Sequence, residues 1–360
     1  MTLLPLTALL LSLNPPDGGE TLHHGCPSAG GPQDFPRRVL GPSLAKELPP
    51  PGTEAKRFLA ANDSWIRDCP HNETVWYTVL RAAELTSQDR KAPADLVEAA
   101  RTAVPNSVWI ETVRARALGT VQAAETAIRL DPKHVPAQVA LATADERTGD
   151  HESALRILRS IRDLHRVVGG PLLLARVALA LGDAKLAAES AHREPDREGG
   201  LIEPVSGMLL VGEARLLEGD VRLKLGQAGK ALTAFYEAQF WGSFEARERL
   251  HSPTVTLERA MEARLKESHL DEELRCSILE DLGGYRLRSG NVKGGVGLLL
   301  KALLLPEDPG GFEDLEAGGP EVRKELERRL ARPHVPARER ERIEEVLKRQ
   351  SPRTLAEPER

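Results

Sequence analysis

The stretch "EGDVRLKLGQAGKALTAFYEA", Glu218 to Ala238, decides the fold. It reads as helix, a short break, then helix again. Glycine weakens a helix interior, so Gly219 and the pair Gly226 and Gly229 each call for a reason. Gly226 and Gly229 flank the break and read as the turn between two helices. Gly219, Ala231 and Ala238 are small where a core would admit larger groups. Small residues on facing sides let two antiparallel helices approach closely, and Phe235 fills the neighbouring hole.

The same arrangement recurs along the chain. Gly149, Gly182, Gly226 and Gly290 each follow an apolar helical pattern and open a turn, in "ERTGDHESAL", "ALALGDAKLAA", "LKLGQAGKAL" and "RLRSGNVKGGV". Five residues after each comes Ala154, Ala187, Ala231 or Gly295. Four further on are Leu158, Ala191, Phe235 and Leu299. Seven before each lie Ala142, Ala175, Gly219 and Gly283. Overlaying these segments gives a period of about 34 residues. The separations between successive glycines are 33, 44 and 64 residues, so the array carries insertions or degenerate units. Turn-like breaks such as "VPNS", "LDPKH", "VVGG" and "RSGN" recur through the region, and no segment alternates as a strand does.

Composition agrees with helix. Aromatics are 4% of the 360 residues, and Ala, Leu, Arg and Glu dominate. The 49 basic and 54 acidic residues leave a net charge of -5, which argues against nucleic acid as the main ligand. The bias towards Ala, Arg, Gly and Pro is similar to that of proteins from GC-rich bacteria.

The ends differ from the middle. Residues 1–13 hold an apolar run, Leu3 to Leu13, too short to span a bilayer and of the length of a signal-peptide core. No basic residue precedes it and no clear cleavage site follows it. The expectation is export to the periplasm, against the alternative of a cytosolic N-terminus. Residues 14–52 are rich in Pro and Gly and read as irregular linker. Helical pattern runs over 53–306, and 307–320 reads as a loop. Residues 321–360 hold 12 basic and 9 acidic residues. Glu325–Arg329, Glu344–Lys348 and Glu345–Arg349 have the spacing of helix-stabilising pairs, so this segment is expected to form a charged helical cap and tail.

The repeat resembles the tetratricopeptide repeat, which pairs W-x2-L-G-x2-Y with A-x3-F and a closing Pro. "LEDLGGYRLRSGNVKGGVGLLLKALLLP" carries Leu279, Leu282, Gly283, Gly295, Leu299 and Pro306. The opening stretch carries Gly219, Gly226, Ala231, Phe235 and Ala238. Ala127 and Pro132 in "AAETAIRLDPKH" match the end of such a unit, and Trp76 in "TVWYTVLRAAEL" matches the start of one. No unit is complete, and tyrosine is absent from its place in the four glycine-anchored units. The resemblance covers residues 73 to 306. It implies an all-α fold, an α-α superhelix of about six or seven helical hairpins. One hairpin cannot bury its own apolar face, so units stack into a solenoid.

The resemblance also implies function: a non-enzymatic scaffold that binds a protein or peptide segment in a groove lined by the first helix of each pair. The matching positions are Val139, Thr143, Leu172, Arg176, Leu216, Asp220, Glu280 and Gly284. Arg176 is the one basic residue among them and no Asn occurs, which argues against a clamp for a C-terminal carboxylate. Val139, Leu172 and Leu216 would suit an apolar or amphipathic segment, unless they pack in the interior.

No catalytic or cofactor motif stands out: HExxH, P-loop, GxSxG and GxGxxG are absent. Gly294 to Gly297, "GGVG", reads as close helix packing rather than a phosphate loop. The expectation is therefore no enzyme, no cofactor, no nucleic acid and no membrane span. Two alternatives are a cytosolic regulatory or sensor module and a metal- or thiol-dependent enzyme. The latter would draw on His23, His24, Cys26, Cys69 and His71. In an exported protein Cys26 and Cys69 are candidates for a disulfide.

Overall fold

The structure is a computed structural model that describes residues 66–86, 91–167, 169–194, 204–305 and 311–350. All regular structure among them is helical, and the helices pack in adjacent pairs. The chain divides into two compact units, with the boundary between Val211 and Gly212.

The N-terminal unit contains α1 (Glu73–Thr86), α2 (Ala94–Ala103), α3 (Val108–Leu118), α4 (Val121–Leu130), α5 (Val135–Thr148), α6 (His151–Ser160), α7 (Gly170–Ala180) and α8 (Ala184–His192). The pairs α3/α4, α5/α6 and α7/α8 pack most closely. Helix α9 (Pro204–Lys224) crosses the boundary between the units. The C-terminal unit continues with α10 (Ala228–Phe240), α11 (Phe244–His251), α12 (Val255–Arg264), α13 (Glu272–Arg288), α14 (Val292–Leu303), α15 (Gly311–Ala317), α16 (Gly319–Leu330) and α17 (Ala337–Gln350).

The four glycines that anchor the sequence pattern all adopt left-handed backbone, with φ between 72° and 87°. A side chain is disfavoured there, which is why glycine ends each first helix. The next residue closes the turn from both sides. Its N–H donates to the carbonyl five residues earlier: Asp150 to Asp145, Asp183 to Ala178, Gln227 to Arg222 and Asn291 to Arg286, all at 2.8–2.9 Å. Its side chain then caps the second helix. Asp150 accepts from Ser153 N–H at 3.0 Å, Asp183 from Leu186 at 2.9 Å and Asn291 from Gly294 at 3.1 Å. Gln227 makes no such cap.

Close packing follows where the pattern places small residues. A Cβ on Gly219 would stand 2.4 Å from Phe235 Cε1, and one on Gly283 would stand 2.7 Å from Leu299 Cγ. The "GGVG" segment lies within α14, and a Cβ on Gly295 would meet Leu287 at 2.6 Å. Phe235 is fully buried in a cluster with Ala231, Leu232, Ala238, Leu250, Met261 and Leu282.

The wide spacing between Gly226 and Gly290 has a structural cause. Helices α11 and α12 are inserted there, and both lie against α10. Gly119 ends α3 in the same left-handed conformation, with its N–H on the Ala115 carbonyl, but Thr120 makes no side-chain cap on α4. The stretch 307–320, expected as loop, contains α15, because Leu315 and Phe312 have an apolar cluster with Leu303, Leu326 and Ile343 to pack against. The expected terminal helix is α17. Two of the expected pairs form, Glu325–Arg329 at 3.0 Å and Glu345–Arg349 at 2.7 Å, and Glu344–Lys348 does not. Arg328 and Arg329 together hold the Glu325 carboxyl down at about 2, against some upward push from burial.

Among the described residues no helix is long and apolar enough to cross a membrane. Residues 1–65 and 351–360 lie outside the description, and with them the expected leader, linker and tail.

Candidate partner-binding surface

The first helices carry the candidate residues, and each unit presents its own set. In the N-terminal unit, Val139 and Thr143 sit one turn apart on α5, and Thr143 Oγ1 donates to the Val139 carbonyl at 2.8 Å. Val139 packs against the cluster of Leu158, Leu173 and Val177. Leu172 is 3% exposed. Its N–H donates at 2.9 Å to the buried carboxylate of Glu194, which also accepts from Gly169 at 2.6 Å. Arg176, one turn further on α7, is the open member of the set. Its side chain is 41% exposed, and its Nε lies 3.1 Å from Glu146 Oε1 on α5.

That ion pair belongs to a pattern absent from the sequence reading. Glu84 on α1 is buried and receives both Nε and Nη2 of Arg116 on α3, each at 3.0 Å. Arg81 also donates to it. Burial pushes the Glu84 carboxyl upwards, but the two guanidiniums outweigh that and hold it below the ordinary carboxylate range. Acid, base, acid, base thus alternate over Glu84, Arg116, Glu146 and Arg176, one per first helix. Each pair joins neighbouring first helices across their shared side. A spacing of 30 to 32 residues between opposite charges was the available signal.

In the C-terminal unit, Leu216 and Asp220 sit one turn apart on α9. Leu216 packs against the Phe235 cluster. Asp220 Oδ2 lies 2.9 Å from Arg249 Nη2 on α11. Burial raises the Asp220 carboxyl, and Arg249 and Lys224 partly oppose that. Glu280 on α13 is half-buried and accepts a long contact from the Cys276 thiol at 3.8 Å. A Cβ on Gly284 would meet Asp314 Oδ2 at 2.5 Å, the movable end of a half-exposed side chain. Next to Glu280, Asp281 accepts from Tyr236 Oη at 2.8 Å and pairs with His251 Nε2 at 3.1 Å. Burial, followed by the Asp281 charge, pushes the Tyr236 phenol well above its ordinary value.

Val139, Leu172 and Leu216 therefore all contribute to interior packing. Of the candidates, Leu172 is buried, while Val139, Leu216, Arg176, Asp220 and Glu280 are each partly exposed. Within each unit, partly exposed apolar and polar groups stand together: Val139 with Arg176 in the N-terminal unit, and Leu216 with Asp220 and Glu280 in the C-terminal unit.

Of the residues considered for metal or thiol chemistry, Cys69 is buried and disulfide-bonded, and His71 Nδ1 lies 2.9 Å from the Ala103 carbonyl. Cys276 is a buried thiol outside any disulfide. His23, His24 and Cys26 lie outside the described residues, and with them the far end of the expected Cys26–Cys69 pairing. Among the described residues, no group of three or more His, Cys, Asp or Glu side chains is arranged to hold a metal ion. Neither a known family profile nor a curated protein matches the chain.

Proposed function

We propose that the chain is a non-enzymatic, tetratricopeptide-like scaffold, an α-solenoid of helical hairpins that binds a protein or peptide segment along its first helices. The recurrence of one turn at Gly149, Gly182, Gly226 and Gly290 carries this reading. Repeated hairpins set their first helices side by side, and stacked units of this kind make extended binding surfaces. The partner segment suited to these helices is amphipathic, with apolar groups against Val139 and Leu216 and a carboxylate held by Arg176 through charge-assisted hydrogen bonds.

The proposal extends to an exported, periplasmic location. The disulfide at Cys69 supports it, because such bonds persist in oxidising compartments and are rare in the cytosol.

The test is chemical crosslinking in the native cell, comparing the wild type with Arg176→Glu. The expected result is at least about a tenfold loss of crosslinked partner, the size of one charge-assisted contact, with helix content unchanged. Undiminished crosslinking in the folded variant would remove Arg176 from the binding face.

A further inference from the structure

Helix α10 carries two unusual surfaces, one at each end. Its C-terminal end runs into "FWGSF", Phe240 to Phe244, where Gly242 at φ 87° turns the chain into α11. Trp241 is anchored: a Cβ on Gly212 would stand 3.2 Å from its carbonyl oxygen. Phe240 packs edge-on against Trp241 at 5.4 Å between ring centroids. Phe240 nevertheless remains 75% exposed, and Phe244 66%. Single exposed apolar groups are ordinary. Two exposed phenyl rings at either side of one turn, in a chain with 4% aromatics, leave apolar surface in water. Glu245, Glu248 and Arg247 flank the rings, all exposed and without an ion pair among the described residues, which leaves an excess of negative charge.

The N-terminal end of α10 borders a recess of about 440 Å³. Gly226, Gly229, Ala260 and Ala263 line it together with Thr256, Arg259, Arg264 and Glu267. Arg264 is paired with Glu267 at 2.5 Å. Arg259 is exposed and makes no ion pair among the described residues, so the recess carries an excess of positive charge. The two surfaces are opposite in charge: exposed aromatic rings flanked by acid, and a recess of small residues with an excess of base. They lie at opposite ends of the 13 residues of α10, a separation of about 20 Å, so the rings do not reach the recess of their own chain.

We propose that this protein self-associates head to tail, with the Phe240/Phe244 knob of one copy seated in the Gly226–Ala263 recess of a second. Glu245 and Glu248 then face Arg259 across the contact. Such a contact is heterologous: each copy keeps one knob and one recess open, and association continues until a ring closes or a chain extends. The proposal stands apart from the partner surface on the first helices.

Sedimentation of the full chain over a concentration series tests it. A contact this small belongs to the weak class, so association is expected near about 100 µM. Wild-type mass should then rise past that of a dimer. The variants Phe240→Glu/Phe244→Glu and Arg259→Glu/Ala263→Glu, each altered at exposed positions, should stay monomeric alone. Mixed in equal amounts they should form a dimer and nothing larger, because each supplies one intact half. A monomeric wild type, a variant that assembles like the wild type, or a mixture that stays monomeric would overturn the proposal.

Discussion

Gly219 and Phe235 lie on consecutive helices, one turn apart in the chain, and touch face to face. A methyl group at 219 has nowhere to go except into the Phe235 ring, 2.4 Å away. Gly229, ten residues on, faces open space in the same helix pair. The two glycines thus predict opposite outcomes for one substitution. Gly219→Ala gains about 1 kcal/mol in helix propensity and loses about 1–3 kcal/mol to overpacking, so it should destabilise. Gly229→Ala should stabilise by about 0.5–1 kcal/mol. Urea unfolding of the C-terminal unit within the full chain reads both signs. The Gly219–Phe235 contact was legible in the sequence because both residues belong to one short hairpin pattern. The Glu84–Arg116 and Glu146–Arg176 pairs were not legible. Charged residues are abundant, and which of them meet depends on how each helix is rotated about its axis.

At the scale of the element, the turn is the repeated unit, and its chemistry is uneven. Asp150, Asp183 and Asn291 cap their second helices, while Gln227 does not. Asp183→Ala should therefore cost about 1 kcal/mol, and Gln227→Asp should recover up to about that amount for α10. Hydrogen exchange of the first-turn amides of α8 and α10 measures each effect locally. The glycine positions announced these turns, since left-handed backbone has a strong residue preference. The inserted helices α11 and α12 gave a weaker signal: they are short, and Gly242 is followed by Ser243 and Phe244 rather than by the small-residue spacing of the other turns. Likewise α15 was hidden among Pro and Gly, because its helicity rests on the burial of Leu315 and Phe312 against distant residues.

At the scale of the molecule, the two units share one construction, helices in adjacent pairs with glycine turns between them; the proposed function adds a binding face along the first helices. Of the apolar residues expected to line that face, Leu172 packs inward beside Glu194, while Val139 and Leu216 stay partly exposed. Periodicity alone marks a residue as facing a neighbouring helix without saying whether a groove opens there. Beside Val139 and Leu216 stand polar groups, Arg176 in the N-terminal unit and Asp220 and Glu280 in the C-terminal unit. The central claim is that a protein partner docks on first helices and not on second ones. Site-specific photocrosslinking in the native cell tests it most directly, with the photoreactive side chain placed in turn at Thr143, at Glu280 and, on the second helix α8, at the exposed Glu189. Crosslinks to a common partner from positions 143 and 280, with none from 189, are the predicted result. Crosslinks from 189 alone, or from none of the three, would contradict the account.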